Sequence, residues 1–242
     1  LEGPARIVSE LADHGYLAEA FHRISDAFEQ RGVLEKPIPD YPRDITRREA
    51  YIQFWREAYD WRKLDRRSIS NQVFHVSRPL VAMGETLQIL GAENAPDDAE
   101  IDQIFKEACG IEPMSNLWED EGAKEYAEHW TTISRKGLNR EPRYSAGYGM
   151  HPPRNLFGLA TFTKDKRRAE WAKERLSANI EGMGQFRWLV QDAREDRDRR
   201  YSLQGGILGA RGISWPGLSH GWHGYNAQAA AYAKLLPDDQ IA

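Results

Sequence analysis

The 242 residues carry 40% hydrophobic and 11% aromatic side chains, enough for a packed core and too many for a disordered chain. A formal net charge of -4, from 33 basic and 37 acidic residues, supplies no global basic field to hold a nucleic acid. Cys109, the one cysteine, excludes an internal disulfide framework and a paired-cysteine metal knuckle, and no apolar run of about 18 residues is present to make a membrane-spanning helix.

The chain opens at Leu1 without an initiator Met or a signal-peptide pattern and closes just after an apolar helical stretch, which fits a mature protein and a piece of a longer one equally. Helical periodicity dominates. Ile7, Leu11 and His14 start a period that resumes at Leu17, Phe21, Ile24 and Phe28, with Gly15 as a break and Gly32 as the stop. A Pro-rich loop, Lys36 to Pro42, follows. Thr46 then reads as an N-cap with Glu49 completing a capping box, and the helix it opens carries Tyr51, Ile52, Trp55, Tyr59 and Trp61. That aromatic stripe is read as core in preference to a sugar-stacking surface.

A long helix is expected over Arg66 to Leu90, with Ile69, Val73, Val76, Leu80, Met83, Leu87 and Leu90 on its apolar positions and a kink imposed by Pro79. Asn94-Ala95-Pro96-Asp97 starts the next helix, ended by Gly110. Another is expected from Gly122 to Ser134, stopped by Gly137. Residues Gly137 to Asn155 read as a long Gly-, Pro- and Tyr-rich loop, and helices resume over Lys164 to Ile180 and Gln185 to Arg194. The alternating charges of Asp192 to Arg200 read as a solvated helix end. A second Gly-rich loop, Leu203 to Gly224, precedes a last helix over Ala227 to Leu236. No linker divides the chain, so a single domain over 1–242 is expected. Helices arriving in pairs predict an all-α fold, an incomplete α/α toroid of helical hairpins with its long loops at one rim.

Three polar constellations stand out. Asn71 and His75 share a helix face four residues apart, with Gln72 beside them. Amides and an imidazole on an apolar helix need either a buried hydrogen-bond network or a ligand. Arg140, Arg143 and Arg154 offer forked cations suited to carboxylates, interleaved with Tyr144 and Tyr148 and with the glycines of the same loop. The third group is His220, Trp222, His223 and Tyr225. Two His three residues apart without a third ligand of recognisable spacing predict no metal site. The nucleophile elbow, the phosphate-binding loop, the zinc-protease helix and the dinucleotide fingerprint are all absent, and no cofactor is expected.

Arg66 to Gln72, Thr131 to Glu141 and Tyr148-Gly149 resemble secreted bacterial α/α-toroid proteins of the heparinase-like and alginate-lyase-like polysaccharide lyases, over roughly residues 45 to 225. The resemblance implies cleavage of an acidic, uronate-containing glycan by β-elimination. Asn71 or Gln72 then neutralises the carboxylate, and Tyr148, His75 or His220 handles the protons. Arg140, Arg143, Tyr144, Trp222, His223 and Tyr225 bind substrate. Where this chain differs from some of these lyases is the spacing: Asn71-Gln72 is followed by His75 in place of a doubled Asn with His directly after. The resemblance also implies export, to the periplasm or the cell exterior. Two alternatives stay open. One is a glycoside hydrolase on the same toroid, for which Glu141 and Asp65 are the candidate carboxylates. The other is a non-catalytic helical scaffold or glycan-binding module.

Overall fold

A computed structural model describes the backbone of residues 13–40, 44–64, 70–113, 131–135, 137 and 151–192, with the side chains of these apart from 13–15, 70–72, 75, 151 and 183–192. Every regular element among the described residues is an α-helix, as the periodicity predicts, and an isolated bridge joins Pro37 to Thr46. The chain divides into two compact units: Leu1–Arg66 with His75–Phe105, and Arg67–Phe74 with Lys106–Ala242.

In the first unit, α1 (Asp13–Gln30) passes through Gly15 unbroken. One glycine costs a helix about 1 kcal/mol, which the packing of the following turns outweighs. α1 stops where expected: Gly32 takes φ +59°, its N–H donates to the Glu29 carbonyl, and the Val33 N–H donates to the Phe28 carbonyl. This pair of bonds satisfies carbonyls that the helix end leaves open. α3 (Ser70–Ile89) and α4 (Asp98–Cys109) end in the same way at Gly91 and Gly110.

Only half of the apolar period of α1, Phe21 and Phe28, turns inward. Ala18 and Phe21 are buried, but so are Glu19, His22 and Ser25, whereas Leu17 and Ile24 are 51% and 44% exposed. α2 (Arg47–Leu64) begins on the predicted capping box: the Thr46 N–H donates to Glu49 Oε2 at 2.7 Å, and the Glu49 N–H donates to Thr46 Oγ1 at 3.2 Å. Trp55 and Tyr59 of its aromatic stripe lie in the core, and Trp61 is at the surface. Arg48 ties the preceding loop down, donating to Glu35 and Glu29 and to the Leu90 carbonyl.

α3 is the centre of this unit. Val76, Leu80, Met83, Leu87 and Leu90 are buried as predicted, and Val81 and Ala82 on its other side are buried too, so the helix is enclosed all round. Pro79 lies inside it, where it deprives the His75 carbonyl of its helical donor. Gly84 lets α4 approach closely: a Cβ there would stand 3.1 Å from Pro96 Cγ and 3.2 Å from Ile101.

The second unit corrects three expectations. Thr131–Arg135 is not the end of a helix, and Thr132 Oγ1 instead donates to the Ala108 carbonyl at 3.1 Å. Residues 151–155, expected as loop, open α5 (His151–Phe162). Pro152 and Pro153 occupy its first turn, where a missing N–H costs no intrahelical bond and a fixed φ suits the helix. The two helices expected after Lys164 are one, α6 (Lys166–Asp192), which runs through Gly182 and Gly184. α5 and α6 pack as a hairpin, and α6 is capped by Asp165, whose Oδ1 accepts from the Arg167 N–H at 2.8 Å. Arg175 of α6 donates to the carbonyls of Cys109, Ile133 and Ser134, holding the end of α4 and the 131–135 segment together.

Candidate functional site

Asn71 and Gln72 fall in the first turn of α3, which opens at Ser70, and His75 follows one turn later on the same helix. Only their backbone belongs to the described residues. Arg140, Arg143, Tyr144, Tyr148, His220, Trp222, His223 and Tyr225 lie outside the described residues, as do the alternative carboxylates Asp65 and Glu141. Of the second constellation, Arg154 and Asn155 are placed: both are on α5, Arg154 exposed and Asn155 buried.

The polar chemistry that the structure does bring together escaped the sequence reading. Between α1 and α3, Arg78 makes a two-pronged pair with Glu19, its Nε donating to Oε1 and its Nη2 to Oε2 at 2.6 Å. His22 Nε2 stands 3.0 Å from Glu85 Oε2 in the same region. All four residues are buried. Tyr16 adds a ring 5.7 Å from the Arg78 guanidinium. The signal is present in the sequence as two spaced polar pairs: Glu19 and His22 three apart, Arg78 and Glu85 seven apart. Both spacings return a residue to the same helix face. The apolar period of α1 points to a different core face, which hides these positions in the sequence.

A His–carboxylate pair can serve as base and orienting group. Here His22 is 1% and Glu85 5% exposed, so no substrate atom reaches them, and the cluster holds two helices together. A second polar group joins Tyr59, whose phenol donates to Glu100 at 2.7 Å, to Lys63, which donates to the same oxygen at 2.6 Å. Burial and the neighbouring Glu100 carboxylate push the Tyr59 phenol far above its ordinary range. It does not serve as a general base. Burial likewise raises the Cys109 thiol, with Arg175 opposing, which leaves it without thiolate character.

Among the described residues, no group of three or more His, Cys, Asp or Glu side chains is gathered that could hold a metal ion, and no helix is long and apolar enough to cross a membrane. No protein-family model, curated protein or solved structure matches this chain.

Proposed function

We propose that this chain cleaves an acidic, uronate-containing glycan by β-elimination, on an incomplete α/α toroid. One observation carries the reading: α3 begins at Ser70, so Asn71 and Gln72 occupy its first turn. The first N–H groups of a helix lack intrahelical partners and its N-terminal end favours negative charge. Two side-chain amides at that end add donors suited to a carboxylate. The C5 proton of a uronate is too weakly acidic to leave while the adjacent carboxylate keeps its full charge. Donors from Asn71, Gln72 and Arg140 or Arg143 stabilise the enolate dianion as charge develops, each worth on the order of 3 kcal/mol. Tyr148, close in sequence to these Arg residues, takes the C5 proton, since a phenol beside a guanidinium ionises more readily. The C4–O bond then breaks, the C4–C5 double bond forms, and His220 protonates the departing oxygen. Tyr144, Trp222, His223 and Tyr225 bind the sugars. Export accompanies this reading.

The expected result is a rise in unsaturated-uronate absorbance on at least one uronate polymer. Asn71→Ala should lower kcat by about 10²- to 10³-fold in a folded protein, and Tyr148→Phe should abolish turnover. Silence across uronate polymers overturns the proposal. A non-catalytic helical scaffold is the second reading. It is favoured by the buried Glu19–Arg78 and His22–Glu85 pairs, which spend their polar groups on joining helices.

A further inference from the structure

The outward face of α1 is built as a surface helix's inward face should be. Its buried side carries Glu19, His22 and Ser25 beside Ala18 and Phe21, and its exposed side carries Leu17, Ala20, Ile24 and Ala27 alongside Arg23, Asp26, Glu29 and Gln30. These four recur at intervals of three and four residues, which keeps them on one line along the helix. Leu17 and Ile24 are among the most exposed large hydrophobic residues described. A scattered exposed leucine needs no explanation, but an apolar line opposite a polar buried face does.

The same spacing continues to the ends. Position 13, where α1 begins, is Asp; position 31 is Arg31, exposed, whose N–H donates to the Ala27 carbonyl at 3.2 Å and so prolongs the helical path. The line therefore reads Asp, Leu, Ala, Ile, Ala, Arg over positions 13, 17, 20, 24, 27 and 31. A two-fold axis at position 22, with a second α1 running antiparallel, sets 13 against 31, 17 against 27 and 20 against 24. Every large residue then meets an alanine, and each acidic end meets a basic one. A parallel pairing would set Asp13 against Asp13 and Arg31 against Arg31. An isologous contact requires a patch complementary to itself, and this line has that property only in the antiparallel sense.

We propose that α1 is a homodimer contact, occupied by the antiparallel α1 of a second copy of this chain. An 18-residue helix is about 27 Å long. A seam of that length is small beside the roughly 1,200–2,000 Å² that stable complexes bury, so the dimer is in concentration-dependent exchange with monomer.

Sedimentation of the 242-residue chain over a range of concentrations should show that exchange. Leu17→Glu should shift it fully to monomer with an unchanged far-UV circular dichroism spectrum. Asp13→Arg should raise the dimer dissociation constant about tenfold, and Asp13→Arg with Arg31→Asp should restore it. A wild-type chain that stays monomeric overturns the proposal. So does a double swap that weakens the dimer further. A monomer in which Leu17→Cys resists thiol labelling overturns it as well, and identifies another part of the chain as the occupant.

Discussion

Arg78 and Glu19 show how much rides on single side chains in this protein. Their pair is nine-tenths buried on both sides, and removing one partner leaves a charge stranded out of water. Arg78→Met should destabilise the fold by about 3–5 kcal/mol, measured by urea unfolding, whereas Arg78→Met with Glu19→Met should recover much of that loss. Gly137 is intolerant for a different reason. At φ +78° its backbone already disfavours a side chain, and an added Cβ would collide with the Ala178 carbonyl of α6, which is backbone and cannot swing away. The Asn179 amide, which donates to the Gly137 carbonyl at 2.6 Å, would be displaced with it. Cys109 gives a simple readout of this unit: enclosed and with its thiol raised by burial, it should react with a thiol reagent only when the protein unfolds.

At the scale of elements, α2, α4 and α6 start on acidic residues. Asp97 Oδ1 accepts from the Glu100 N–H at 2.8 Å, and Asp97→Ala should cost about 1 kcal/mol by loss of that cap. Glu49 is held below its usual range by the Thr46 N–H and hydroxyl. Burial alone would raise Asp165, but the Arg167 side chain and the N–H groups of Arg167 and Arg168 outweigh it, and the carboxyl is lowered. Glu100 is lowered against a similar burial effect by Lys63 and Tyr59. Carboxyls lowered by folding add stability that is full above their unfolded range, near pH 4, and that disappears as pH falls through the folded values. Melting temperature should therefore drop on acidification from about pH 5 to about pH 3, and Asp165→Asn should flatten that dependence. The Thr46–Glu49 capping box and the stops at Gly32 and Gly110 were legible in the sequence because each is set by residues close together in the chain. The start of α5 at His151 was missed because two prolines were read as loop, although in a first turn they suit a helix.

The molecule as a whole joins the proposed chemistry to its scaffold. Ligand that binds only the folded form raises its melting temperature by mass action. A uronate oligomer should therefore raise the melting temperature of the wild type and leave that of the Asn71→Ala variant unmoved. Two equal shifts would place binding away from the start of α3. The residues of the proposed site were chosen by type, because amides, guanidiniums and phenols suited to a carboxylate can be read off a chain without coordinates. Convergence of such residues depends on contacts between segments far apart in sequence, which residue type alone does not report.

By itself the sequence determined the all-helical character of the described chain, the stops of α1, α3 and α4 and the enclosed apolar positions of α3, since these follow from side-chain period and backbone propensity within a few residues. Tertiary structure decided which face of α1 is inside. Leu17 and Ile24 announce one face by hydrophobicity, yet Arg78 and Glu85 on α3 draw Glu19 and His22 into the interior. A buried charge is tolerable where its partner waits, and that partner is some sixty residues away for Glu19 and Arg78, at a separation of 59.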